Sequence, residues 1–105
     1  MKYEISEKAI EDINQIWLYT FENWPQEQTD RYYNQIFDEI EFIAANFEDG
    51  RSMEHIRKGY RASKVKSHLI FYRKSKKNVV EIIRVLHQHM DIENLMSEWS
   101  VKSNI

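Results

Sequence analysis

Three histidines, His68, His87 and His89, fall in a stretch from Arg57 to Asp91 that is otherwise crowded with arginine, lysine and aromatic residues. Two kinds of chemistry use such a set. His87 and His89 stand two apart, on one side of an extended segment, with His68 on a neighbouring strand, and three imidazoles can ligate zinc. No carboxylate is evidently placed to complete the ligand set and the chain has no cysteine, so neither a metal nor another cofactor is expected. Alternatively, His87 with Arg61 and Arg84 would give a phosphodiesterase one proton-transfer group and cations for charge developing on a phosphate. Nothing in their spacing demands that these three converge. The simpler expectation is that His68 and His87 are hydrogen-bonded sheet residues that position strand ends.

The same stretch interleaves Tyr60, Phe71 and Tyr72 with Arg57, Arg61, Arg73 and Arg84, a mixture that can stack on bases and contact phosphates. Aromatics that alternate along strands are about half core, however, and Phe71 is expected to be buried from its central place in its strand. A sequence pI near 6.1 also lies well below the strongly basic range of nucleic-acid-binding domains.

The net charge of −2 conceals an uneven distribution. Residues 1–50 hold three Lys/Arg against 12 Asp/Glu, a balance of −9, whereas residues 51–87 hold 11 against two, a balance of +9. Such asymmetry speaks to partners rather than to fold. It leaves open whether the basic part binds something or is simply a solvated face. A chain of 105 residues, 42% hydrophobic and 13% aromatic, is expected to be one globular domain over residues 1–105. The lack of cysteine, the absence of a signal pattern after Met1 and the shortness of every apolar run point to a cytoplasmic protein away from the membrane.

Elements that would position these residues follow from periodicity. Lys2–Ile5 alternates as a short strand. Ser6 is placed as an N-cap, with Glu7, Glu11 and Asp12 at the positive end of a helix whose stripe is Ile10, Ile13, Trp17, Phe21 and Trp24, widened by Ile16 and edged by Thr20. Trp24-Pro25 ends that helix and Pro25 suits the first turn of the next. The second stripe comprises Thr29, Tyr32, Tyr33, Ile36, Phe37, Ile40, Ile43, Ala44 and Phe47, with Gly50 as the C-terminal stop. Strands are then expected over Tyr60–Lys66, His68–Arg73 and Val79–His87, with Gly59 in a tight turn or bulge. Asp91 caps a short last helix carrying Ile92, Leu95, Met96 and Trp99. The expected fold is α+β, in the order β-α-α-β-β-β with a short C-terminal helix, a helical hairpin packed on a mostly antiparallel sheet. One sheet face would stay open or be covered by something else, and the basic residues lie in that region.

The segments Arg57-Lys58-Gly59-Tyr60-Arg61, Ser67-His68-Leu69-Ile70-Phe71-Tyr72-Arg73 and Arg84-Val85-Leu86-His87-Gln88-His89-Met90-Asp91, in this order on this pattern of elements, resemble the ParE branch of the RelE/ParE toxin superfamily. The resemblance runs from Tyr3 to about Met96. It implies the toxin of a type II toxin–antitoxin module of the plasmid-stabilisation type, held inactive by a ParD-like antitoxin that alone contacts operator DNA. ParE-like members are known for poisoning DNA gyrase and RelE-like members for cutting mRNA. Against the RelE-like nuclease pattern, Leu69 stands at the arginine position of the second strand. Near the end of the last strand His87 and Gln88 offer a histidine but no tyrosine. The nuclease set thus looks incomplete, and inhibition of gyrase by protein contact is the expected action. Arg57, Arg61, Lys64, Arg73 and Arg84 are candidates for contacts with an acidic, amphipathic antitoxin segment that folds as it binds. His87, Gln88, His89, Met90 and Asp91 are candidates for target contact. The rival readings are a RelE-like mRNA endoribonuclease using His87, Arg61 and Arg84, and a non-toxic remnant that only binds antitoxin.

Overall fold

The computed structural model describes residues 2–95. Strand β1 (Tyr3–Ile5) leads into helices α1 (Glu7–Asn23) and α2 (Gln26–Ala45), then a single 3-10 turn (Phe47–Asp49). Strands β2 (Arg51–Ser52), β3 (Arg61–Val65), β4 (His68–Lys74) and β5 (Val80–His87) follow. They form one five-stranded sheet in the order β1-β5-β4-β3-β2. Strand β1 lies parallel to β5 and every other pair is antiparallel. The α+β architecture is the expected one, with a two-residue strand added at an edge.

Helix α1 begins as its sequence requires. Ser6 is extended, and its Oγ accepts from the Ala9 amide at 3.0 Å, satisfying one of the free amides of the first turn. The helix stops at Trp24, whose extended backbone (φ −124°, ψ 159°) is what a following proline imposes. Pro25 stands just before α2, in the N-cap position. Helix α2 buries Thr29, Tyr32, Ile36, Ile40, Ile43 and Ala44, the expected stripe.

Only part of the stripe expected on α1 is buried. Ala9, Ile13 and Thr20 face inward with part of Ile16 and Trp24, whereas Ile10 is 46%, Trp17 36% and Phe21 50% exposed. Trp17 and Phe21 stack on each other at 4.9 Å on the outer surface. The cause is a rotation of α1 fixed by polar tethers to β5. Beyond Ile5, β1 no longer covers the edge of β5, and side chains of α1 and its cap take over its backbone groups. Ser6 Oγ donates to the Ile83 carbonyl at 2.8 Å, and the Asp12 carboxylate accepts from the Val85 amide at 3.0 Å. Backbone groups on a sheet edge need such partners when they are covered. Asp12 also grips Arg84 through two bonds of 2.7 and 2.9 Å. A β-bulge at Phe71/Tyr72, where the register skips Ile83, places Arg84 and Val85 for this contact.

Two cores result. Between hairpin and sheet lie Ile13, Tyr32, Ile36, Ile40, Ile43, Ile70, Tyr72, Val80, Ile82 and Val85. The other sheet face is not open. Met53, Tyr60, Ala62, Phe71 and Leu86 form a second cluster there, and Ile56, Leu69, Ile83, Ile92 and Leu95 pack onto it. The loop before β3 and the turn at residues 92–95 supply its cover. Met96 and Trp99, expected on the same last helix, lie outside the described residues.

Gly50 serves a purpose other than the expected helix stop. Helix α2 ends at Asn46, and Gly50 is extended (φ −70°). A Cβ there would come within 1.7 Å of the Tyr72 hydroxyl, which donates to the Phe47 carbonyl at 2.9 Å. Gly50 lets Tyr72 reach that carbonyl. Gly59 does adopt a positive φ of 83°, in the turn leading into β3, where glycine avoids the Cβ penalty.

Candidate functional site

The basic residues singled out from the sequence do not share one surface. Arg84 is on the hairpin side, largely buried in its bidentate pair with Asp12. Arg61 donates to the carbonyls of Glu48 (3.2 Å) and Gly50 (2.8 Å) and lies over the Phe47 ring. On the opposite face, Arg73 pairs with Glu81 at 2.9 Å, and the guanidiniums of Arg57 and Arg73 both approach Tyr60. Lys64 is exposed on β3. Tyr60, Phe71 and Tyr72 are all buried, so these rings are not open to stack on bases.

Nor do Arg61, Arg84 and His87 converge. In the strand register His87 pairs with His68 and His68 with Val65, whereas Arg61 pairs with Tyr72 at the far end of β3. Four residues of strand separate the two levels, about 13 Å at the usual rise. Arg84 is committed to Asp12 between them. Among the described residues no three His, Asp or Glu side chains are grouped to hold a metal ion, and no helix is long and apolar enough to cross a membrane.

The histidines instead meet at one end of the sheet. The His68 and His87 rings pack edge to face with centroids 5.3 Å apart, and the His87 and His89 rings are 5.1 Å apart. Tyr32 of α2 reaches across from the hairpin. Its hydroxyl donates to the Val65 carbonyl at 3.0 Å and lies 2.6 Å from His68 Nδ1. A hydroxyl has one proton. With that proton on Val65, His68 Nδ1 must be the donor to Tyr32, and Nε2 is left as an acceptor. His87 is the reverse case, because its Nδ1 accepts from the His89 amide at 3.2 Å and the proton of the neutral ring belongs on Nε2. Burial, reinforced by the neighbouring His87, holds the His68 pKa below the ordinary imidazole value. Burial likewise raises the Tyr32 hydroxyl, against a lowering backbone hydrogen bond from Ser67. Both groups are therefore neutral near pH 7.

These side chains floor a cleft of about 790 Å³ between the helical hairpin and the ends of β4 and β5. Ile16, Trp24, Tyr32, Val85, Leu86 and Leu95 give it apolar walls, while Arg31, Lys66, His68 and His87 bring nitrogen groups to it. Lys66 has a left-handed backbone (φ 50°) in the β3–β4 turn, unfavourable for a residue with a Cβ. Nothing in the sequence joined Arg31 or Lys66 to the histidines, because the cleft forms only once α2 is packed over the end of the sheet. The expected target segment adjoins it. His87 is half-buried, residues 88–91 are exposed, and Met90 lines the mouth with half its surface open.

The chain superposes with TM-score 0.71 on a chain described as the chromosomal ParDE TA system from P. aeruginosa, over 83% of this chain and 95% of that one, at 16% identity. At that identity the likeness speaks for the fold. Residues 3–92 match the family model described as the ParE toxin of the type II toxin-antitoxin system, parDE. The chain therefore belongs to the ParE toxin family. It is 35% identical over 92 residues to Toxin ParE1 of Mycobacterium tuberculosis, covering 88% of this chain and 94% of that one. It is 40% identical over 89 residues to Toxin ParE1 of Caulobacter vibrioides, covering 85% and 91%.

Proposed function

We propose that this chain, a toxin of a ParDE-type module, inhibits DNA gyrase by protein–protein contact and is neutralised by a ParD-like antitoxin. The observation that carries a contact mechanism is the separation of Arg61, Arg84 and His87, which keeps these three from assembling as a phosphodiesterase set. The exposed turn of Gln88, His89, Met90 and Asp91 with His87 behind it is the surface offered to the target. Lys64, exposed at the rim of the covered sheet face, is offered to acidic groups of the antitoxin, while Arg57, Arg61, Arg73 and Arg84 would contribute through what their present partners leave free. Expression of the chain without antitoxin, read by induction of the DNA-damage response against arrest of translation, tests this reading. A damage response with translation intact is the expected result, and codon-positioned cleavage of mRNA with supercoiling intact is the opposite one.

A further inference from the structure

The turn that follows β5 is fastened by a titratable group. The Gln88 amide donates to the Ser67 carbonyl at 2.8 Å, the Met90 amide to the His87 carbonyl at 3.0 Å, and the His89 amide to Nδ1 of His87 at 3.2 Å. The first two acceptors are carbonyls and do not titrate. The third is an imidazole lone pair, and it exists only while His87 is neutral, because a protonated ring carries N–H on both nitrogens. A proton on Nδ1 would set two N–H groups against each other across this contact.

The surroundings of His87 favour the neutral ring while the turn is closed. His68 of β4 packs edge to face on it, with its own pKa held below the ordinary imidazole value by burial and by His87. The His89 ring lies beside it, with centroids 5.1 Å apart. Helix α2 brings Arg31 and the Tyr32 hydroxyl to the same space, and the β3–β4 turn brings Lys66. From α1 come the Tyr19 hydroxyl and Asp12, the one carboxylate lining this space, which is taken up by Arg84. Asp91 and Glu93 follow the turn as exposed residues, and Asp91 is held by the Asn94 side chain at 2.6 Å. A charge on His87 therefore adds to Arg31 and Lys66, with the lining carboxylate already committed, and like charges disfavour one another.

We propose that His87 is a proton-operated latch: neutral, it closes the turn of residues 88–91 through the His89 amide, and protonated, it releases that turn. The proton taken up sits on Nδ1, the His89 amide turns to water, and no covalent bond between heavy atoms changes. Opening and proton uptake are one linked equilibrium, so the closed turn is favoured at high pH and lost as His87 takes up its proton. By the same linkage, a partner that binds only the closed turn weakens proton binding at His87. Contact between this turn and the target would then weaken in acid, a consequence that rests on the target reading above, whereas the latch itself does not.

The test follows the full chain, labelled with nitrogen-15, by NMR from about pH 8 to about pH 5, the range that brackets ordinary imidazole titration. Ring nitrogen shifts report which nitrogen of His87 carries a proton. Hydrogen exchange, corrected for the intrinsic effect of pH, reports the His89 amide. At the high end His87 should be the Nε2–H tautomer. Protection of the His89 amide should then fall about fivefold or more in step with His87 protonation, the scale of one net hydrogen bond, while Ile70 in the central strand keeps its protection. His87→Asn supplies a side-chain acceptor that does not titrate, and it should keep the His89 amide protected across the range. Ile70 protection in that variant establishes that it is folded. An unprotected His89 amide at high pH, protection that survives full protonation of His87, an equal loss at Ile70, or a His87→Asn chain that keeps the pH dependence would each overturn the proposal. Failure of the target reading is seen separately, in supercoiling assays at neutral pH, whatever the His89 amide does.

Discussion

Asp12 and Arg84, 72 residues apart in the chain, meet in a bidentate pair at 2.7 and 2.9 Å, and the same carboxylate accepts the Val85 amide. This contact fixes how α1 sits on β5. Both side chains are largely buried, so removing one partner leaves an uncompensated charge. Asp12→Ala is expected to destabilise the fold by about 3–5 kcal/mol, measured by urea unfolding. Replacing both residues by apolar ones of similar size should recover much of that loss, except for the share due to the Val85 amide.

The rotation of α1 makes a second prediction. Trp17 and Phe21, the largest apolar residues of the helix, are surface residues, and Ile13 is core. Trp17→Ser or Phe21→Ser should cost under about 1 kcal/mol, whereas Ile13→Ala should cost about 2–5 kcal/mol. Comparable losses at all three positions would restore the stripe expected from sequence.

Stability should fall on mild acidification through His68. Its folded pKa lies below the unfolded value of about 6.5, so between the two the unfolded chain binds a proton that the native chain does not. Stability contributed by the neutral ring is complete above pH 6.5 and is lost progressively as pH falls toward the folded pKa. Thermal melts from pH 7.5 to 5 should show this slope, and His68→Gln should flatten it. Tyr32→Phe should lower stability by about 1–2 kcal/mol by leaving the Val65 carbonyl and His68 Nδ1 without their partner.

Gly50→Ala tests the close approach of Tyr72. The added methyl meets the Tyr72 ring and hydroxyl, and about 1–3 kcal/mol of overpacking cost is expected. Tyr72→Phe in the same chain should return part of it by removing the nearest atom.

Much of the fold was legible because α2 carries one apolar face at helical period, and the three long strands are short β-branched and aromatic runs, apolar on both faces in β4 and β5. Helix α1 was not, because it is apolar on two faces. Seeing that the stripe turns away from Ile10, Trp17 and Phe21 toward Ala9, while keeping Ile13 and Thr20, requires knowing that Asp12 finds Arg84, a contact set by a bulge in a distant strand. Gly50 looked like a helix stop because its role depends on Tyr72, 22 positions away. The histidines and the segment from His87 to Asp91 were visible as sequence. Their meeting with Tyr32, Arg31 and Lys66 around one cleft was not, since it arises from the packing of α2 over the ends of β4 and β5.

The central claim is action on gyrase by contact, and the most direct measurement is supercoiling by purified DNA gyrase with the purified chain added. Inhibition that rises with toxin concentration, disappears on addition of a ParD-like antitoxin and weakens when Met90 and Asp91 are replaced is the predicted result. Undiminished supercoiling at toxin concentrations that still arrest growth would contradict it.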